Sequence, residues 1–105
     1  MTRIEANDLF DIYGPLLTER QREILALSIQ EDLSFGEIAA ELGISRAAAA
    51  DAVKRGETLL SQYEKRLGVA GIRRKVLELL EGQPALQDQV RQLYASAGLP
   101  SAGTE

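Results

Sequence analysis

The chain has 105 residues and 45% apolar side chains, which fits one globular domain with a modest core. It contains no cysteine and no histidine, which excludes disulfides, thiolate chemistry and the usual zinc ligands; no cofactor is expected. A formal charge of -4, from 12 basic and 16 acidic residues, argues against generic affinity for nucleic acid.

No apolar run approaches the roughly 18 residues of a membrane helix. No segment near the start resembles a secretory signal. The expectation is a cytoplasmic protein without membrane insertion. The pattern predicts helix after helix and no strand alternation, so the fold class is all-α. The expected organisation is a single helical domain over 1–105. Within it, 18–67 form a helix-turn-helix core running into a long helix, 69–97 a C-terminal helical extension and 98–105 a loose tail.

The first predicted helix runs from about Glu5 to Tyr13, with Leu9, Ile12 and Tyr13 near one face. Gly14-Pro15 breaks it, and Leu16 and Leu17 are expected to pack down as the chain turns. Thr18 then caps a second helix, with Gln21 three residues on as its capping-box partner. Ile24, Leu25, Ser28 and Ile29 mark its packed side. The "EDLS" segment turns the chain, and Ser34 with Glu37 repeats the capping box. Phe35, Ile38, Ala39 and Leu42 recur at helical spacing in the short helix that follows. Gly43 suits a left-handed position, and Ser45 caps the next start.

The helix beginning near Arg46 is expected to be long. Alanine has the highest intrinsic helix propensity, and Val53, Leu59, Leu60, Tyr63 and Leu67 continue an apolar edge. Gly56 weakens its middle without breaking it, and Gly68 ends it. Two further amphipathic segments follow, one marked by Ile72, Val76, Leu79 and Leu80, the other by Leu86, Val90, Leu93 and Tyr94. Gly82 and Pro84 divide them.

Residues 35–55 combine a short helix, a glycine turn and a capped second helix, the pattern of a helix-turn-helix. The competing reading is an ordinary helical hairpin. Ala39 is small enough to let the helices approach, and Ile38, Leu42, Ile44 and Val53 face a shared core. Four residues are candidates for nucleic-acid contact. Ser45 caps the helix and leaves its N-terminal amides near a phosphate. Arg46 stands at the helix start, in reach of a phosphate or a guanine edge, or is simply a solvated arginine. Lys54 and Arg55, two turns on, either touch backbone phosphates or form a solubilising face beside Asp51 and Glu57. Between them stand Ala47, Ala48, Ala49 and Ala50. A methyl group meets a thymine methyl but makes none of the paired hydrogen bonds that distinguish guanine or adenine. Charge is uneven: residues 1–44 carry 3 basic and 9 acidic side chains, residues 45–66 carry 5 and 3, and residues 67–105 carry 4 of each.

"LLTERQREILALSIQEDLSFGEIAAELGISR" resembles region 4 of bacterial sigma factors, the region that reads the promoter -35 element. Over residues 8–67, with "LFDIYGP" before this stretch and "DAVKRGETLLSQYEKRLG" after it, the chain is similar to the YlxM family. These are small proteins like sigma region 4, encoded beside genes of the signal recognition particle. The resemblance implies a regulatory helix-turn-helix protein, a link to that particle's pathway, and dimers formed through helices outside the core. The "ISR" turn is intact as Ile44, Ser45 and Arg46, and the distal "KR" as Lys54 and Arg55. The glutamine, branched apolar and polar residues usual in the reading helix are replaced by Ala47, Ala49 and Ala50. The scaffold role carries over and the base-reading role does not.

Three functions therefore stand at this point. The first is a regulatory helix-turn-helix protein binding double-stranded DNA weakly and without sequence preference. The second is an adaptor for protein or RNA of the signal recognition particle on the same scaffold. The third is a sequence-specific transcriptional regulator. An enzyme is not expected, because Glu19, Glu23, Glu37 and Glu41 have surface or capping readings and no tight carboxylate pair is indicated. A homodimer is expected, because residues 57–95 offer more apolar helical surface than a three-helix core needs. Leu59, Tyr63, Leu67, Ile72, Val76 and Leu80 are its candidate interface.

Overall fold

The protein is described here by a computed structural model covering residues 1–97. Among these residues it has six α-helices and no strand: α1 (Arg3–Tyr13), α2 (Glu19–Leu25), α3 (Phe35–Leu42), α4 (Arg46–Leu67), α5 (Val69–Leu79) and α6 (Pro84–Ser96). The loose tail expected at 98–105 lies outside the described residues.

The helix starts are built as the sequence predicts, with one earlier than expected. Thr18 and Ser34 cap α2 and α3, and each forms the reciprocal box with Gln21 and Glu37. A third box, Thr2 with Glu5, starts α1 two residues before the expected Glu5. Gly43 has φ 68° and ends α3, while Gly68 has φ 65° and is the whole joint between α4 and α5. Between α1 and α2 the chain makes a 3-10 turn over Gly14–Leu16, held by Arg22, whose guanidinium donates to the Leu17 carbonyl at 3.1 Å.

One expected helix is interrupted. After Leu25 the backbone widens to a π-helical segment, Ala26–Gln30, and the Glu31 amide reaches back to the Ala26 carbonyl at 3.1 Å. The extra residue per turn brings Ile29 into the core and throws Asp32 into a positive φ of 57°. Asp32 tolerates this conformation, and its carboxylate meets Arg3 at 2.5 Å.

The core sits where α1, α2 and α3 surround the first half of α4. Tyr13, Leu25, Ile38, Ala49, Val53 and Leu60 are almost wholly removed from water. Gly56 is part of this seam: a Cβ there would stand 2.7 Å from Leu25 Cγ, so only glycine allows α2 to pack so closely on α4. The residue expected to weaken the long helix is thus what seats it. Two expected packing residues are corrected. Leu17 is buried but Leu16 is exposed, because the 3-10 turn points them in opposite directions. Leu67, expected on the apolar edge of α4, is also exposed, since the helix has run past α2 and α3 by its last turn.

Candidate nucleic-acid interface

The α3–turn–α4 unit is closed by short bonds. The Gly43 and Ile44 amides both return to the Ala39 carbonyl, Ile44 at 3.1 Å, which turns the chain in two residues. Ser45 then caps α4, its hydroxyl accepting the Ala48 amide at 3.0 Å. That hydroxyl is therefore already engaged by the helix, and what Ser45 adds to an interface is the end of α4 that it organises.

The alanine run divides by rotation. Ala49 is completely buried against α3, which answers its small size: a larger side chain would push the helices apart. Ala47 and Ala48 are exposed, and Ala50 is half-buried. At about 100° per residue, the buried stripe Ala49–Val53–Gly56–Leu60 fixes which residues face outward. Ala47, Asp51 and Thr58 fall within about 30° of the outward direction, with Lys54 and Arg55 about 50° to either side. Arg46 is exposed on one flank of the first turn.

The four candidates are thus not one cluster. Arg46 and Lys54 are separated by about 12 Å of helix rise. Arg55 is tied to Asp51, Nε to Oδ2 at 2.9 Å, so a carboxylate at the centre of the outward face offsets one of its three cations. Helix α3, which in this motif crosses the nucleic-acid backbone, exposes Glu37 and Glu41 and carries no basic residue.

A second constellation was not read from the sequence. At the α4–α5 joint the Tyr13 hydroxyl donates to Glu64 Oε1 at 2.5 Å and accepts the Val69 amide at 3.1 Å. Glu64 also accepts the Ala70 and Gly71 amides, each at 3.0 Å. Three of the orphan amides at the start of α5 are thereby satisfied by groups from α1 and α4. Burial works against the Glu64 carboxylate, but Tyr13 and the two amides together outweigh it, and its pKa lies below the ordinary value. Burial and the adjoining carboxylate raise that of Tyr13. The only sequence signal was a tyrosine before the first break and a glutamate four residues before Gly68.

The six-helix arrangement and the tight α3–α4 turn define an all-α protein with a helix-turn-helix like sigma region 4 and extra C-terminal helices. Residues 1–96 match the UPF0122 family, whose description is "Putative helix-turn-helix protein, YlxM / p13 like", and the chain belongs to that family. Its relatives include a UPF0122 protein of Symbiobacterium thermophilum, 47% identical over 73 residues, covering 70% of this chain and 68% of the relative. Another, from Lacticaseibacillus casei, is 51% identical over 61 residues, covering 58% of this chain but only 54% of its own length. A third, from Shouchella clausii, is 39% identical over 93 residues, covering 89% and 79%. No solved structure gives a match. No group of three or more metal-ligating side chains occurs among the described residues.

Proposed function

We propose that this is a regulatory helix-turn-helix protein that touches double-stranded DNA weakly, through phosphates, without reading its sequence. The observation that carries this is the outward face of α4. Lys54 and Arg55 supply charge at its margins and Arg46 on the flank of the first turn, while Ala47 and Asp51 occupy the place of base-reading side chains. Binding of this kind weakens steeply with salt and differs little between duplexes. Anisotropy titrations against a randomised duplex pool and genomic fragments test it. Arg46→Ala is expected to weaken all duplexes alike and lower the salt slope by about 1. Asp51→Ala is expected to strengthen binding, because it removes the central carboxylate. One fragment bound a thousandfold above the pool would make the protein a sequence-specific regulator instead.

A second reading is favoured by the exposed carboxylates of α3. Glu37 and Glu41 repel a phosphate backbone where the motif would approach it. On this reading the scaffold is an adaptor, and the family resemblance points to protein or RNA of the signal recognition particle. Absence of duplex binding at low salt, with binding to that particle's purified RNA or protein, would establish it. In either case we propose a homodimer. Leu59 and Tyr63 of the expected interface pack on the core, whereas Ile72, Leu79, Leu86 and Leu93 form an uncovered apolar edge along α5 and α6. Light scattering coupled to size exclusion decides this, and a monomer at high micromolar concentration excludes it.

A further inference from the structure

A groove of about 900 Å³ is lined by none of the residues of the outward face of α4. It is lined by α1 and the Gly14–Leu16 turn on one part, by α6 on another, and by α5 with Tyr13 and Leu67. Its surface is mainly apolar, from Ile12, Leu16, Leu67, Val69, Leu77 and Tyr94. Leu16 and Leu67 are 54% and 57% exposed, large aliphatic side chains left open to water on a chain that buries its other leucines near them, Leu9 and Leu17.

The charges around the groove are sorted by helix. Asp8 sits between Arg73 and Arg74, at 3.4 Å from each, and these three neutralise one another in part. That leaves Asp11 on the α1 part and Arg91 on the α6 part, neither in an ion pair among the described residues. The groove therefore offers an apolar lining, a free carboxylate along one edge and a free guanidinium along the other. Of the other polar groups on its lining, the Tyr13 hydroxyl is already engaged by Glu64 and the Val69 amide, and Asp8 by Arg73 and Arg74.

We infer that this groove docks an amphipathic helix of a partner protein. The occupant carries aliphatic side chains at i, i+4 and i+7 on the face that enters, a cation on the edge that meets Asp11 and a carboxylate on the edge that meets Arg91. Charge complementarity selects this occupant: a uniformly basic or uniformly acidic helix satisfies one rim and is repelled by the other. The inference rests on the adaptor reading and supplies its docking surface. It uses only the last residue of α4, Leu67, and none of its outward face, so duplex titration of Arg46 or Asp51 variants and the experiment below fail or succeed separately.

Three synthetic helices of 16 residues serve as probes, identical in their leucine face. One has lysine along one edge and glutamate along the other, one has lysine along both, and one has glutamate along both. Amide shifts of the labelled protein are followed during titration. The mixed helix is expected to bind the wild type about two- to fivefold more tightly than either uniform one, on the scale of exposed charge pairs. The shifts should centre on Leu16, Leu67, Leu77 and Tyr94. Asp11→Lys should move the preference to the glutamate helix, and Arg91→Glu to the lysine helix. Both residues are exposed, and a circular dichroism spectrum confirms that the variants fold. Equal binding of all three helices, unchanged ranking in the variants, or shifts centred on α3 and residues 46–58 would overturn the proposal. So would a groove already occupied by a second copy, seen as groove shifts on dilution of the protein alone.

Discussion

Residues 3–67 and residues 69–96 are both strings of amphipathic helices, yet they end differently. Thirteen of the fourteen buried apolar residues belong to the first stretch; the second contributes only Ala70. Helix α6 buries nothing, and Leu79 and Leu93 are 83% and 68% exposed. The difference does not lie in how apolar the stripes are. It lies in what the small residues permit. Along α4, Ala49 and Gly56 let α3 and α2 close onto the backbone, so Val53 and Leu60 are surrounded. The stripes of α5 and α6 present large aliphatic side chains with no such seat opposite them. An apolar period says that a face seeks cover; it does not say that the same chain provides it.

The sharpest way to break this comparison is to truncate a leucine in each region. Leu60→Ala should cost about 2–5 kcal/mol in urea unfolding, as for a fully enclosed side chain. Leu79→Ala should stay within about 0.5 kcal/mol at concentrations where the protein is monomeric. Equal losses would mean that α5 and α6, the hairpin of residues 69–96, have a core of their own. A smaller but more pointed effect is expected at the seam. Gly56→Ala improves intrinsic helix propensity by up to about 1 kcal/mol, yet its methyl group collides with Leu25. We expect a net loss of about 1–3 kcal/mol from overpacking. A stabilised variant would show that Leu25 can move aside, and the seam would not be what distinguishes the two regions.

The first region was largely legible in the sequence because its signals are local. Thr18 with Gln21, Ser34 with Glu37, Gly43 and Ser45 each act within four residues, and all four take the roles expected. What escaped was set by distance or by context. Glu64 and Tyr13 are 51 residues apart and neither is unusual on its own. The π-helical turn at Ala26–Gln30 brings Ile29 into the core, and no residue in "ALSIQ" announces it. Of the candidate site, the positions of Ser45, Arg46, Lys54 and Arg55 could be read, and the pairing of Arg55 with Asp51, four residues apart, agrees with the solubilising face that the sequence offered as the alternative.

The joint between the regions offers a finer test. Tyr13→Phe removes the hydroxyl that bonds Glu64 and leaves the Val69 amide without its acceptor. A loss of about 1–2 kcal/mol is expected. Hydrogen exchange should quicken at residues 69–71 while α3 and the first half of α4 keep their protection. If protection falls evenly across the chain, the joint is not a separate attachment and the two regions unfold as one.

The smallest expected effect is a pH dependence from the same joint. The Glu64 carboxyl has its pKa lowered in the folded chain, so the unfolded chain binds its proton first as pH falls. Its contribution to stability is whole above the ordinary value of 4.5 and is lost as pH drops through the folded value. Tyr13 is raised, so its contribution is whole below the ordinary 10.0 and is lost as pH climbs toward its folded value. Stability from the joint should therefore form a plateau between these limits. Glu5, lowered by the Thr2 amide and hydroxyl, adds to the acid-side slope but is exposed at the start of α1, and its hydrogen bonds are to Thr2 rather than to the joint. Unfolding free energies measured from pH 3 to pH 11 separate the two. Glu64→Gln should flatten the acid side while lowering the plateau, because the amide group cannot accept from both Ala70 and Gly71. Glu5→Gln should flatten the acid side less and leave the alkaline side alone. Tyr13→Phe should remove the alkaline loss and, by withdrawing a donor, move the Glu64 titration toward its ordinary range. If Glu64→Gln leaves the acid slope as it was, the charge of Glu64 does not hold the hairpin to the core, and the attachment rests on Ala70 burial and the Asp8–Arg73–Arg74 pairing instead.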